Sequence, residues 1–413
     1  MNMRTNAAVA PANTDSAPLS GGWKIPAAAS MVTAVFILSN SATPLYVHWQ
    51  RQFAFSSGTL TVIFAAYIAG LLGALLVAGQ LSDRLGRKAV LAPGFLIAMT
   101  ASAIFIAAES VAALVAARFL TGIAVGVIVS AGMAAVVDVG GPHRTRQASR
   151  AASVAMVLGA GLGPLLAGAL AQVMERPVWL IFGIEMALLA IAMGVMAVLP
   201  MPRLPPLTGT AAAPGLRLPS VPARNRLDLA LGIAVFAPGI SATSFVLALG
   251  PALLSRLLHV SSPLVAGGTA CLMFMSATGV QFAVQKLSIR AVLLLGAAAT
   301  MLAMTGMVGA IHFSAPALLL AAASFAGMGQ GLGQLGGLTS IGMKVPDHQR
   351  AQANSLLNIG AYIPAGLLPV ATGFLIDRVG MAAGATTFAA VLITAATGAA
   401  LFVAARLPAN PST

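Results

Sequence analysis

The chain has 413 residues, of which 59% are hydrophobic and only 8% charged, against about 25% charged in an ordinary soluble domain. A mean hydropathy of +0.94 leaves too little polar surface to cover a water-soluble core, so a soluble globular protein is excluded and the solvent must be lipid. The net charge of +13 and pI near 11.5 do not signal nucleic acid, because the basic residues form no stripe with interleaved aromatics and fall between long apolar runs.

In chain order, Met1 to Gly22 is polar and rich in Ala, Pro, Ser and Asn, and reads as a disordered tail. The apolar stretch that follows is too long for a signal-peptide core and lacks a clear cleavage site, so it stays as the first span. Stretches 25–50, 52–82, 89–108, 151–174, 229–255, 257–285, 291–343, 351–376 and 379–405 contain no Asp, Glu, Lys or Arg. Two more, 110–137 and 177–202, hold one charge each, Arg118 and Glu185. A spanning helix needs about 20 apolar residues. All eleven qualify, and 291–343 is long enough for two with a break near His312–Pro316, which predicts twelve spans.

With both termini inside, seventeen of the 22 Lys and Arg fall on the cytoplasmic side and four outside, as the positive-inside rule requires. The predicted protein is therefore a multi-pass component of the cell inner membrane with cytoplasmic N- and C-termini. Between Pro200 and Arg226 lie seven prolines and four arginines, an extended cytoplasmic linker. The expected organisation is a disordered tail 1–23, a six-helix half 24–200, the linker 201–226, a second six-helix half 227–406 and a tail 407–413. The single cysteine, Cys271, permits no intramolecular disulfide. Arg150 to Pro164 can be laid over Arg350 to Pro364 without a gap, which agrees with two halves related by an axis along the membrane normal.

After span two comes Gly79-Gln-Leu-Ser-Asp83-Arg84-Leu-Gly86-Arg87-Lys88. It resembles the signature loop of the major facilitator superfamily, G-x-L-x-D-R-x-G-R-K, at every fixed position. That resemblance implies an all-α membrane fold of twelve transmembrane helices in two halves, and more closely the twelve-span drug:proton antiporters. It also implies a gate of Gly79, Asp83, Arg84, Gly86, Arg87 and Asp138, in which Asp83 lies near the start of span eleven and Arg87 pairs with Asp138. Asp138 lies twenty residues past Arg118, roughly 30 Å along a helix, which puts it at the cytoplasmic face beside this loop.

Span four holds Leu114-x-x-x-Arg118-x-x-Thr121-Gly122-x-x-x-Gly126, similar to the superfamily's span-four motif except that Thr121 stands where glutamine is usual. A buried arginine in a membrane is costly and is expected either to function or to pair with backbone. Span five holds Gly159-x-x-x-Gly163-Pro164-x-x-Ala167-Gly168, similar to the antiporter motif with alanine replacing one glycine, and this implies export by exchange. Glu185 is the only carboxylate well inside a span, and both it and Arg118 lie about eight residues from the outer face. Equal depth makes them candidates for an ion pair or a proton-coupling site; the family fold instead makes span six peripheral, so Glu185 could face packing helices. The family's drug exporters often carry an acid in span one, where this chain has Ser39, Asn40, Ser41 and Thr43.

Polar pairs four apart share a helix face: Gln281 with Gln285, Gln330 with Gln334, and Asn354 with Asn358. With Asn40, Tyr46, Tyr67 and Tyr362 they are candidates for a substrate cavity, Tyr46 equally for an interfacial anchor. Gly331-Leu-Gly333-Gln-Leu-Gly336 fits G-x-G-x-x-G but has no strand before it and reads as helix packing. There is no G-x-x-x-x-G-K-[ST], hence no ATP-driven pump, and the five histidines show no metal-ligand spacing, so no cofactor or metal is expected. These readings predict a monomeric, proton-coupled exporter of small hydrophobic or amphiphilic molecules, not an enzyme. The alternative is a transporter of a small metabolite such as a sugar or amino acid. A polytopic membrane enzyme would need paired acids, histidines or a nucleophile near one face.

Overall fold

The computed structural model describes residues 23–201 and 221–408, without the side chains of Pro142, Asp347, His348 and Ala351. Residues 1–22, 202–220 and 409–413, which hold most of the expected tails and linker, lie outside the described residues.

The described residues form twelve long helical segments and no strand. The first six are α1 (Lys24–Phe53), α2 (Ser57–Leu85), α3 (Arg87–Ile106), α4 (Val111–Gly140), α5 (Thr145–Val173) and α6 (Pro177–Val198). The second six are α7 (Arg226–Arg256), α8 (Pro263–Ala283), α9 (Ile289–His312), α10 (Pro316–Lys344), α11 (Asp347–Val379) and α12 (Met381–Arg406). Eleven are long and apolar enough to cross a membrane. The twelfth, α10, is 29 residues long, but its glycines and its Gln330 and Gln334 dilute its hydropathy. Burial against α7, α8 and α9 explains why it tolerates them. The break expected near His312–Pro316 is the short turn between α9 and α10.

Breaks between helices follow the local chemistry. Ser56, Ser110, Ser262 and Ser288 each cap a helix start by accepting from a backbone N–H three residues on. Pro177, Pro263 and Pro316 sit at first helical positions, where their missing N–H costs nothing. Gly86, at φ +91°, separates α2 from α3 in a backbone conformation that favours glycine. Within α4, Ile128–Gly132 widens into a π turn, and the Ser130 hydroxyl donates to Gly126 O at 2.8 Å.

The packing repeats with a period of six helices. In the first half α2 packs on α4, α1 on α5, α3 on α4 and α6, and α1 on α6; in the second half α8 packs on α10, α7 on α11, α9 on α10 and α12, and α7 on α12. The α2–α4 contact is close because a Cβ on Gly122 would collide with the Tyr67 carbonyl; in the matching α8–α10 contact a Cβ on Gly327 would collide with the Met273 carbonyl. Aromatic stacks repeat likewise, with Phe105 on Phe182 between α3 and α6, and Phe245 on Phe388 between α7 and α12, both at 4.4 Å between centroids. The halves meet along two seams, α5 with α8 and α2 with α11. One end of the bundle carries the Gly79–Lys88 loop and is called here the motif end; the other is the far end.

Candidate substrate chamber, gate and seams

Arg118 is fully buried on α4. Its Nη1 donates to Ser39 O of α1 at 2.7 Å, while Nε and Nη2 have no hydrogen-bond partner among the described residues. The guanidinium carbon lies 4.8 Å from the ring centre of Tyr67, 5.6 Å from Phe64 and 5.9 Å from Tyr46. Each such contact is worth about 0.5–2 kcal/mol, against roughly 3 kcal/mol or more to hold an arginine at mid-membrane. Together the three rings offset a cost of that order, while two guanidinium nitrogens stay without a hydrogen-bond partner among the described residues. Tyr46 Oη and Thr43 Oγ1 are likewise buried without a partner. Tyr67 also comes within electrostatic reach of Tyr362, across the α2–α11 seam.

Arg118 and Glu185 form no ion pair. Glu185 is buried on α6, one turn after Phe182, and neither carboxyl oxygen has a hydrogen-bond partner among the described residues. Ser41 is its polar neighbour, but that hydroxyl donates to Ile37 O at 2.8 Å. The two charges have different neighbours on α1: Arg118 meets the Ser39 carbonyl, and Glu185 meets the Ser41 side chain.

The other cavity candidates divide. Asn40 is buried and donates to Ser39 Oγ at 2.8 Å, beside the Arg118 contact. Gln281 donates to Gly331 O at 3.2 Å and so ties α8 to α10. Asn358 donates to Asn354 O at 2.9 Å, leaving Asn354 Oδ1 buried and unpartnered. Gln330 and Gln334 are half-buried on α10, and Tyr362 packs edge-on against Phe236 at 6.4 Å. Within the Gly331–Gly336 run, Gly331 faces α8, Gly333 faces Phe236 of α7 and Gly336 faces Leu293 of α9.

At the motif end, Arg87 opens α3 and collects three partners. Nε donates to Asp138 Oδ2 at 2.9 Å, and Nη1 donates to Ser82 Oγ at 2.9 Å and to Asp83 Oδ1 at 2.7 Å. The Arg87 side chain is only 13% exposed, whereas Asp83 is 64% exposed. Arg84 is on the solvent side of the same turn. A Cβ on Gly79 would sit 3.9 Å from Ser130, so that glycine lies against the π turn of α4 with room to spare. The expected contact of Asp83 with the first turn of α11 falls in part on the side chains of Asp347 and His348, which lie outside the described residues; Asp83 itself pairs with Arg87.

The Gly159–Gly168 motif runs along two contacts. Gly159 and Gly163 press on the α1 backbone at Thr33 and Ile37. Gly168 and Pro164 face α8, where a Cβ on Gly168 would strike the Pro263 carbonyl and one on Gly267 would strike the Pro164 carbonyl. Two ionic sites had no sequence signal. Lys344 Nζ pairs with Asp228 Oδ1 at 2.6 Å, and Asp377 binds the start of α2 across the other seam. Both acids sit at helix ends, where charge is unremarkable in a sequence.

Similar proteins fit this geometry. Over 71 residues the chain is 41% identical to the multidrug resistance protein MdtL of Escherichia coli O45:K1 (strain S88 / ExPEC), and 39% identical to that of Shigella flexneri serotype 5b (strain 8401). That segment is 17% of this chain and spans only 18% of those relatives. Among solved structures, the D-xylose-proton symporter superposes with a TM-score of 0.72 at 16% identity, covering 94% of this chain and 98% of that one. The nucleoside transporter NupG superposes with a TM-score of 0.71 at 12% identity, covering 92% and 98%. At such identities these superpositions speak for the fold alone. The family model of the Major Facilitator Superfamily matches residues 28–310, more than half of the chain, and with the twelve-helix, two-half architecture this shows that the chain belongs to that superfamily.

Proposed function

We propose that this chain is a proton-coupled secondary exporter of small hydrophobic or amphiphilic molecules, working as a monomer by alternating access of its two halves. The observation that carries the reading is the half-to-half seam. Proline and glycine of the α5 motif meet α8 backbone to backbone, a close contact on which two rigid halves can rock. The short stretch of identity with MdtL, named for multidrug resistance, supports export. Substrate would enter beside Arg118, Tyr46, Tyr67 and Phe64, whose rings suit apolar cargo. The gate role of Asp83, Arg87 and Asp138 belongs to the same reading. So does the placement in an inner membrane with the motif end cytoplasmic, which rests on loop charge.

Glu185 is our candidate for the proton site. A buried carboxyl with no cation beside it can take up and release a proton as its surroundings change between states. In proteoliposomes, Glu185→Gln should lose transport driven by a pH gradient while exchange of labelled for unlabelled substrate persists. Normal gradient-driven transport would make Glu185 a packing residue and move proton coupling elsewhere.

A second reading, transport of a polar metabolite, is favoured by the unpartnered atoms Thr43 Oγ1, Tyr46 Oη, Arg118 Nε and Nη2, and Asn354 Oδ1. They offer hydrogen bonds that a purely apolar cargo would leave unmade. A combined resistance and uptake screen in a transporter-deleted strain separates the two readings.

A further inference from the structure

We propose that Asp377 is a positioning residue that latches the far end of the bundle shut, by capping α2 from the opposite half of the molecule; this rests on the transporter reading.

The first turn of any helix presents backbone N–H groups with no partner inside the helix. In α2 these are shared between two sources. Ser56 Oγ accepts from Thr59 N at 3.2 Å, and the regular helical ladder begins with Leu60 N donating to Ser56 O at 3.1 Å. The remaining two donors are satisfied from 320 and 319 residues away: Ser57 N donates to Asp377 Oδ1 at 2.9 Å and Gly58 N to Asp377 Oδ2 at 2.8 Å. Both carboxylate oxygens are used, and a negative charge at a helix start is favoured by the helix dipole. The neighbouring backbone is shaped around this bond. A Cβ on Gly58 would lie 2.7 Å from Phe374 and 2.8 Å from Asp377 Oδ2, and one on Gly373 would lie 2.7 Å from Ser57 O.

Other far-end hydrogen bonds between the halves join Ser262 to Gln172 at 2.8 Å and Arg51 to Ser255 at 3.5 Å. Among the described residues, Asp377 is the only carboxylate in a hydrogen bond across the seam. Among the described residues Asp377 is the carboxylate that accepts from these N–H groups; the first turns of α2 and α12 carry no acid, and the charges on the elements around it are Arg51, Arg256 and Arg378. When the halves part at this end, α2 loses two of its three first-turn capping bonds and the carboxylate must return to water. The latch therefore weights the equilibrium toward the far-end-closed state.

The test uses the full chain in lipid nanodiscs, with Cys271→Ser and spin labels on Glu109→Cys and Phe313→Cys, two far-end turns in opposite halves. Asp377→Ala should raise the widened population relative to the closed one by at least tenfold, the shift expected for losing even one of the two hydrogen bonds to a charged acceptor. Asp377→Asn, which keeps one oxygen, should fall between. Gly58→Ala should shift the ratio the same way by pushing the seam apart, and Gly183→Ala, whose new methyl meets open space, should leave it unchanged. If the parent protein shows two distances but the Asp377 variants keep its ratio, the latch is overturned. If parent and variants alike show a single fixed distance, the alternating-access reading fails instead and the latch with it. Asp377→Glu, which retains the charge, checks that the shift is not misfolding: it should restore the closed population at least in part, and no restoration in a well-folded variant would also overturn the latch.

Discussion

At the motif end, Arg87 gathers Ser82, Asp83 and Asp138, all from the first half of the chain, whereas at the far end Asp377 reaches from the second half to Ser57 and Gly58 of the first. The first network lies inside one half, and the second joins the two halves. On the proposed rocking cycle, the ion network would hold the gate residues together within one half, and the cross-seam carboxylate would be the contact that parting the halves at the far end must break.

The strongest way to break this comparison is steric. Gly267→Val would drive a side chain into the Pro164 carbonyl and force α5 from α8. Overpacking of this kind costs about 1–3 kcal/mol. We expect at least a tenfold loss of transport, with folded yield in the membrane reduced less. A smaller effect is expected at the motif end. A double-mutant cycle between Arg87→Ala and Asp138→Ala should give a coupling of about 1 kcal/mol in thermal unfolding, discounted for the 33% exposure of Asp138. The smallest is expected for Asp83, whose pairing with Arg87 is largely in solvent. Asp83→Asn should leave unfolding nearly unchanged yet slow transport more than it lowers expression; unchanged transport would remove Asp83 from the gate.

Depth along a helix axis is easily read from a sequence, because charge-free runs have ends and 1.5 Å per residue turns position into height. That is why the twelve helices were legible. Azimuth is not, because side-chain direction depends on which neighbour a helix leans on. Hence Arg118 faces Ser39 and three rings while Glu185 lies beside Ser41, and Gln281 ties two backbones together rather than standing in a cavity. Asp377 was illegible for a related reason: a carboxylate that caps another helix looks like any loop acid until the chain returns 320 residues later.

The π turn at Ile128–Gly132 acts as a phase shifter in α4. A wide turn accommodates about one extra residue, which rotates everything beyond it by roughly 100° relative to an unbroken helix. Arg118 lies before it and faces α1 and α2; Asp138 lies after it and faces the start of α3. One helix thereby addresses the membrane interior and the motif end on independently set faces, and deleting a single residue within the turn would turn Asp138 away from Arg87 while leaving Arg118 where it is.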